Sequence, residues 1–444
     1  MIDKLVIRAF RSTLVKSDKV LSPDDPAYVP NLHGSDNEDV IAALQEDLLT
    51  QPEKGTSLFY FSGQRGTGKS TELRRLEVML NAEAVQVVRF DSLDYLFETD
   101  PINQETLSLL VASGLADWAA AHYHEDFKTS SAWRRFSAWL QTDIELTEVS
   151  YGGIKAKLKD QSANIAEKLA KLSAGSESHK AIAAFSAEIV EFLRNAAHRN
   201  RVVVIVDSLE QLRGVGADQG LAFTRVVQCF AGNFHRLHVP GAAVVYSVPP
   251  YLALLEDVAN FVRLHTLASV RVFEPPQVTA RQPRPTGLQA MRSLIHRRHA
   301  RAKDLFTDAA LDRLALASGG DLRHYMLRLV SDAAYGATFA LERLPLQADD
   351  AIINTVIGKS RVETEQLTRL NEWPLLKNIT TTHKAMAEDM DNSLHMLARL
   401  FQTRVILNYR NGQEWFDIHP LLWESIDAYN PTPELSGAAP AASV

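Results

Sequence analysis

The 444-residue sequence predicts an α/β fold: a mostly parallel, five-stranded sheet carrying a helical insertion, followed by a helical lid and a winged-helix domain. Three observations carry that expectation. Continuous apolar runs such as Val202-Val203-Val204-Ile205-Val206 read as strands covered on both faces, the pattern of parallel sheets. Helical patterns separate these runs, the alternation from which α/β cores are built. A Gly-rich loop joins the first run to a helix.

The chain reads as a series of modules: residues 1–35 as an N-terminal arm, 36–275 as the sheet domain, 286–345 as a helical lid, 360–430 as a winged helix, and 431–444 as a disordered tail. Three prolines in LSPDDPAYVPN keep the arm from forming continuous helix or central strand. Val40, Leu44 and Leu48 then recur at helical spacing, with Ser35 or Asp36 as the N-cap. Ser57–Phe61 reads as the first strand and Ser70–Leu80 as the helix after the loop. Further strands are expected at Val85–Phe90, Val202–Val206, Ala242–Ser247 and near Ser269–Phe273.

Between the second and third strands, residues 97–198 are helical in pattern, a long insertion. Leu158, Ile165, Leu169 and Leu172 share one face, which suits either packing within the insertion or on a partner, or an ordinary amphipathic surface helix. The Pro-rich stretch 274–285 marks the end of the sheet domain. In the last module a helix around Leu394–Phe401 precedes two strand-like runs, Val405–Arg410 and Gln413–Ile418. Asn411-Gly412 between them is a hairpin signal, and helices followed by a hairpin suggest a winged helix.

Composition narrows the function classes. Apolar residues make up 46% and charged residues 23%, the balance of a soluble globular protein. A formal charge of −7 argues against a whole-protein nucleic-acid surface, so any such contact is local. A single cysteine, Cys229, excludes an internal disulfide and a Cys-rich zinc site, and its apolar neighbours place it in a core. No apolar stretch is long enough for a membrane span, so a cytoplasmic protein without a membrane partner is expected.

The chemistry is concentrated in Gly63-Gln64-Arg65-Gly66-Thr67-Gly68-Lys69-Ser70. Its glycines let backbone N–H groups wrap phosphates, and the helix that follows presents its positive end to them. Lys69 is expected to reach the β- and γ-phosphates and the Ser70 hydroxyl to ligate Mg²⁺, with Thr71 continuing the helix. The expected ligands are therefore ATP or ADP with Mg²⁺. Asp207, ending the third strand, would hold Mg²⁺ through water. Ser208 stands where many ATPases place a second acid, and Glu210 follows. Two readings of Glu210 remain: it orients the attacking water, or it is a first-turn acid at a helix dipole. Without a well-placed acid, turnover would be slow. Ser247, at the tip of the fourth strand, reads as a γ-phosphate sensor or a loop-start serine. Arg323, in Ser318-Gly319-Gly320-Asp321-Leu322-Arg323, reads as a second sensor or as a solvated residue behind an Asp321 cap.

Together these residues resemble the AAA+ superfamily over residues 28–425, near its origin-recognition branch and the signal-transducing STAND ATPases. The resemblance implies an ATPase whose nucleotide state is sensed at Ser247 and Arg323. In STAND members a histidine after the wing touches the β-phosphate. Ile418-His419-Pro420 is similar, with Pro420 where Asp is expected, so His419 is a candidate contact or simply a helix-start histidine. Tyr28, Val29 and Pro30 are candidates to hold adenine by analogy, and Arg236 for an arginine finger in a homo-oligomer. The implied function is a slowly hydrolysing regulatory switch in bacterial signalling or defence, acting on a separate effector or partner protein. The alternative is a DNA-binding AAA+ ATPase of the loader or transposition-regulator type, using the winged helix and the basic cluster from Arg281 to Lys303. The low basic content of the helices before the hairpin disfavours it.

Overall fold

A computed structural model of the chain describes residues 2–15, 20–34, 39–100, 102–146, 149, 151–162, 165, 177–212, 219–276, 281–386 and 390–429. It divides into two compact units. Val20–Tyr28 and Ser35–Ala268 form a sheet unit, and Met1–Lys19, Val29–Gly34 and Ser269–Val444 form a helix–hairpin unit.

In the sheet unit, β1 (Ser57–Gly63), β2 (Gln86–Asp91), β3 (Val202–Asp207), β4 (Ala243–Val248) and β5 (Arg263–Leu267) are parallel and lie in the order β2-β3-β4-β1-β5. This is the five-stranded α/β P-loop sheet expected from the apolar runs. Every residue of β3 and β4 is buried, which is why these strands read as unbroken Val/Ile runs instead of alternating. Helix Val40–Leu49 and helix Lys69–Ala82 cover one face. Ile41, Leu44 and Leu48 from the first, and Leu73, Leu76 and Leu80 from the second, pack with Phe59, Phe61, Val203, Ile205 and Val245. Each fully buried side chain of this size contributes about 1.5–3 kcal/mol. Helix Gln104–Lys128 approaches β2 so closely at Gly114 that a Cβ there would lie 2.5 Å from the Phe90 ring.

Several boundaries differ from expectation. The fifth strand is Arg263–Leu267, not the run near Ser269–Phe273. Ser269 and Val270 instead donate backbone hydrogen bonds to Asn408 and Gly320, and Val270, Val272 and Phe273 enter the core of the other unit. The division between units therefore falls at Ala268, ahead of the Pro-rich stretch. The ends of that stretch are tied together, Glu274 N–H to Gln282 O and Arg284 N–H to Val272 O. The cap of the Val40 helix is Asp39, whose Oδ1 accepts from the amides of Ile41 and Ala42; Ser35 and Asp36 lie outside the described residues. Within the insertion, Gln104–Lys128, Ser131–Thr142, Ile154–Asp160 and Glu177–Ala197 are helices. Leu158 and Ile165 are buried, while Leu169 and Leu172 are outside the described residues.

The helix–hairpin unit packs helices Lys4–Val15, Pro285–Arg298 and Asp308–Ser318 and the π-helical turn His324–Val330 around one apolar core. Helices Ala351–Glu365, Trp373–Thr382 and Met390–Gln402 precede an antiparallel hairpin of β6 (Ile406–Asn411) and β7 (Gln413–Ile418), turning at Gly412 with φ 87°. Helices leading into a two-stranded hairpin give the winged-helix order. The hairpin is fastened to the Gly319-Gly320 turn: Tyr409 Oη donates to Gly319 O at 2.6 Å, and Arg404 pairs with the buried Asp321 at 2.9 Å. Asp321 also caps the next helix by accepting from His324 N–H. The tail expected at 431–444 is outside the described residues.

Gly320 combines φ 81° with a space in which a Cβ would fall 1.9 Å from Val270 O. The backbone strain and the clash add. Gly320→Ala is expected to destabilise the unit by about 3 kcal/mol, seen as a clear fall in the thermal midpoint; an unchanged midpoint would contradict this packing.

Candidate nucleotide site in the sheet unit

The sheet order decides which side chains meet. β4 lies between β1 and β3, so the carboxyl ends of β2, β3, β4 and β1 form a row, the edge of an open α/β sheet where ligands bind. Those ends carry Asp91, Asp207, Ser247 and the Gly63–Ser70 loop.

The loop bends through left-handed glycines, Gly66 at φ 88° and Gly68 at φ 92°, and helix Lys69–Ala82 starts directly after Gly68 without a side-chain cap. Its first amides are thus left to an incoming anion. Gly63 is fixed by crowding, since a Cβ there would sit 2.8 Å from Leu267 O. Thr67 Oγ1 donates to Gln64 O at 2.9 Å and closes the loop; Arg65 points outward to Glu98 at 3.2 Å.

Lys69 is 3% exposed. Its Nζ donates to Gly63 O at 2.9 Å and Gln64 O at 2.8 Å, and pairs with Glu210 Oε1 at 3.1 Å. The other Glu210 oxygen accepts from Ser247 Oγ at 2.9 Å, and Ser247 Oγ accepts from Leu209 N–H at 3.1 Å. Ser247 is thereby joined to the Glu210 turn. Asp207 is 1% exposed and accepts from Ser208 N–H at 2.8 Å and from the Ser70 hydroxyl. Burial, followed by the negative charge of Glu210, pushes its carboxyl up to about 6. A hydroxyl and a carboxylate hydrogen-bonded to each other beside the loop are the hard oxygen donors Mg²⁺ takes, so Ser70 and Asp207 fit that ion.

Lys69, Ser70, Asp207, Glu210 and Ser247 are therefore gathered at one place. Arg323 and His419 lie in the helix–hairpin unit. His419 is 3% exposed; its Nδ1 accepts from Leu421 N–H and its Nε2 meets His324 Nδ1 at 3.1 Å. His324 Nε2 in turn bonds Ser360 Oγ at 2.7 Å. With Nδ1 accepting, His419 donates through Nε2, and His324 passes the polarity on to Ser360. Burial lowers both imidazoles, His324 to about 4, which keeps this relay neutral.

Other expectations resolve locally. Tyr28 bonds Glu72 at 3.2 Å, and Arg75 holds Glu72 and Asp39, so Tyr28 is anchored to the helix after the loop; Val29 belongs to the other unit's core. Burial raises the Glu72 carboxyl. Arg236 is engaged by Glu105 at 2.5 Å. In the basic cluster, Arg281 stacks on Trp423 and pairs with Asp427, Arg284 pairs with Glu274, Arg292 with Asp308 and Asp312, and Arg301 with Asp304.

Sequence reading missed Asp91. It stands directly opposite Asp207 in the β2–β3 register, and its Oδ2 accepts from Ser208 Oγ at 2.9 Å. Burial raises its carboxyl. Its signal was present: β2, like β3, is an apolar run that finishes on an aspartate.

No family model and no curated protein sequence matches the chain. Solved structures similar to it include the Drosophila ORC bound to DNA, at 12% identity and TM-score 0.37, covering 95% of this chain and 92% of that one. The Aeropyrum pernix ORC2 protein in ADPNP–ADP complexes matches at 11% and 0.38, over 96% and 97% of the two chains. Cdc6p of Pyrobaculum aerophilum matches at 15% and 0.38, over 92% and 96%. Likeness of this degree assigns no residue roles, and the function is read from the side chains themselves.

Lys69→Ala is expected to weaken ATP binding at least about 100-fold, because it removes the buried cation that phosphate oxygens would meet at this loop. Titration with a fluorescent ATP analogue checks this; retained affinity would remove Lys69 from the site.

Proposed function

We propose that the chain is a nucleotide-controlled regulatory ATPase: it binds ATP with Mg²⁺ in the sheet unit, hydrolyses it slowly, and changes its domain arrangement and partner binding with the nucleotide's state. The single observation that carries this reading is the convergence of Lys69, Ser70, Asp207, Glu210 and Ser247 at the carboxyl ends of adjacent parallel strands.

In this reading the loop amides and Lys69 bind the phosphates, with Lys69 exchanging carbonyl and Glu210 contacts for phosphate oxygens. Ser70 and Asp207 would hold Mg²⁺, which neutralises phosphate charge when bound. Ser247 faces the end of the phosphate chain and transmits its presence through Leu209 N–H and Glu210. Glu210 is held by the Ser247 hydroxyl, which leaves it poorly placed to orient a water and supports slow turnover. A slow ATPase is suited to switching. Arg323 is the proposed second sensor. His419 acts with it through His324, the residue next to Arg323. The proposed setting is bacterial signalling or defence, with a separate effector or partner protein and a homo-oligomer as the assembled form.

A DNA-loading role stands second. The four paired arginines of the basic cluster have their charge met by carboxylates within the unit, which weakens a nucleic-acid surface there.

Arg323→Ala and His419→Ala are each expected to leave ATP affinity within about threefold while altering ATP-dependent oligomerisation, measured by light scattering with and without nucleotide. Wild-type behaviour in both variants would refute the coupling.

A further inference from the structure

The residue after Asp207 is Ser208, in the place where many ATPases carry a second acid, and Glu210 is already engaged by Ser247. A carboxylate from the neighbouring strand nevertheless contacts the residue at that position. Ser208 is 2% exposed and adopts a left-handed backbone, φ 69° and ψ 7°, which an ordinary side chain seldom takes. This turn leaves its amide on Asp207 Oδ1 at 2.8 Å and its hydroxyl on Asp91 Oδ2 at 2.9 Å. Asp91 is itself fixed, its Oδ1 accepting from Leu93 N–H at 2.9 Å and its backbone in register with Asp207.

A serine hydroxyl has one proton and two lone pairs, and an ionised carboxylate can only accept. Asp91 therefore takes the Ser208 proton as a hydrogen bond, and the lone pairs of Oγ are left to accept from another donor. We infer that Asp91 is a positioning residue for phosphoryl transfer, holding Ser208 Oγ so that it accepts a hydrogen bond from the attacking water. The inference rests on the nucleotide-site reading above. In the step itself the water oxygen forms the new bond to the γ-phosphorus, and the bond to the ADP oxygen breaks with its electron pair going to ADP. Both of the water's protons leave on inorganic phosphate, which departs as dihydrogen phosphate. Ser208 and Asp91 end the step unchanged, so the pair contributes orientation rather than a proton sink, consistent with slow turnover.

The test uses full-length wild type, Asp91→Ala, Ser208→Ala and the double variant. ATP affinity is read by titration of a fluorescent analogue, hydrolysis by single turnover, and folding by thermal midpoint. Each single variant is expected to keep affinity within about twofold and lose at least about 10-fold in rate, with the double variant no slower than the worse single one, since the two residues act as one unit. A merely structural role for Asp91 would not produce that non-additivity in the rate. A single-variant rate within twofold of wild type, a parallel loss of affinity and rate, or multiplying losses in the double variant would overturn the inference. A wild-type protein that binds no ATP would instead refute the nucleotide site, which separates the two failures.

Discussion

The buried ammonium of Lys69 is the constraint on which the site depends. At 3% exposure it has surrendered nearly all of its water, a loss of several kcal/mol unless oxygen atoms replace it. Two loop carbonyls and the Glu210 carboxylate do so. Each requires a particular backbone: the carbonyls need the glycine turns of the loop, and Glu210 needs the left-handed turn at Ser208 just beyond β3. Strand β4, set between β1 and β3, brings Ser247 to the same carboxylate. A cation surrounded by exchangeable oxygens at the start of an uncapped helix would suit an incoming phosphate, as proposed above.

The negative charge gathered opposite Lys69 has its own consequence. Asp207 and Asp91 end adjacent strands, with Glu210 in the turn just beyond; burial, then the charge of Glu210, raises the Asp207 carboxyl, and burial raises that of Asp91. Arg89 lies 3.9 Å from Asp207 and Lys69 pairs with Glu210, and a divalent cation held by Ser70 and Asp207 would add to that compensation. The same economy of charge appears in the helix–hairpin unit, where the buried pair His324 and His419 stays neutral and passes one hydrogen-bond polarity from Leu421 to Ser360.

Much of this was legible in the sequence because it is written in local patterns. The apolar runs of β1, β3 and β4, the Gly-rich loop and the Asn411-Gly412 turn each declare themselves within a few residues. What could not be read depends on partners distant in sequence. Ser269–Phe273 has the apolarity of a strand, but hydrogen bonds to Asn408 and Gly320 draw it into the helix–hairpin unit. Asp91 is 116 positions from Asp207, and only the β2–β3 register makes them neighbours. Glu210 read equally well as a water-orienting acid or a helix-start acid, whereas its partners prove to be Lys69 and Ser247. The arginines around residue 290 resembled a basic surface until their carboxylate partners were in place.

The central claim is that one phosphate-binding site, centred on Lys69, holds ATP or ADP. Its most direct test is to purify the protein, release any bound small molecule by denaturation, and identify and quantify it by mass spectrometry before and after incubation with ATP and Mg²⁺. The account expects ADP or ATP approaching one equivalent per chain. Protein that carries no nucleotide and acquires none from millimolar ATP would contradict it.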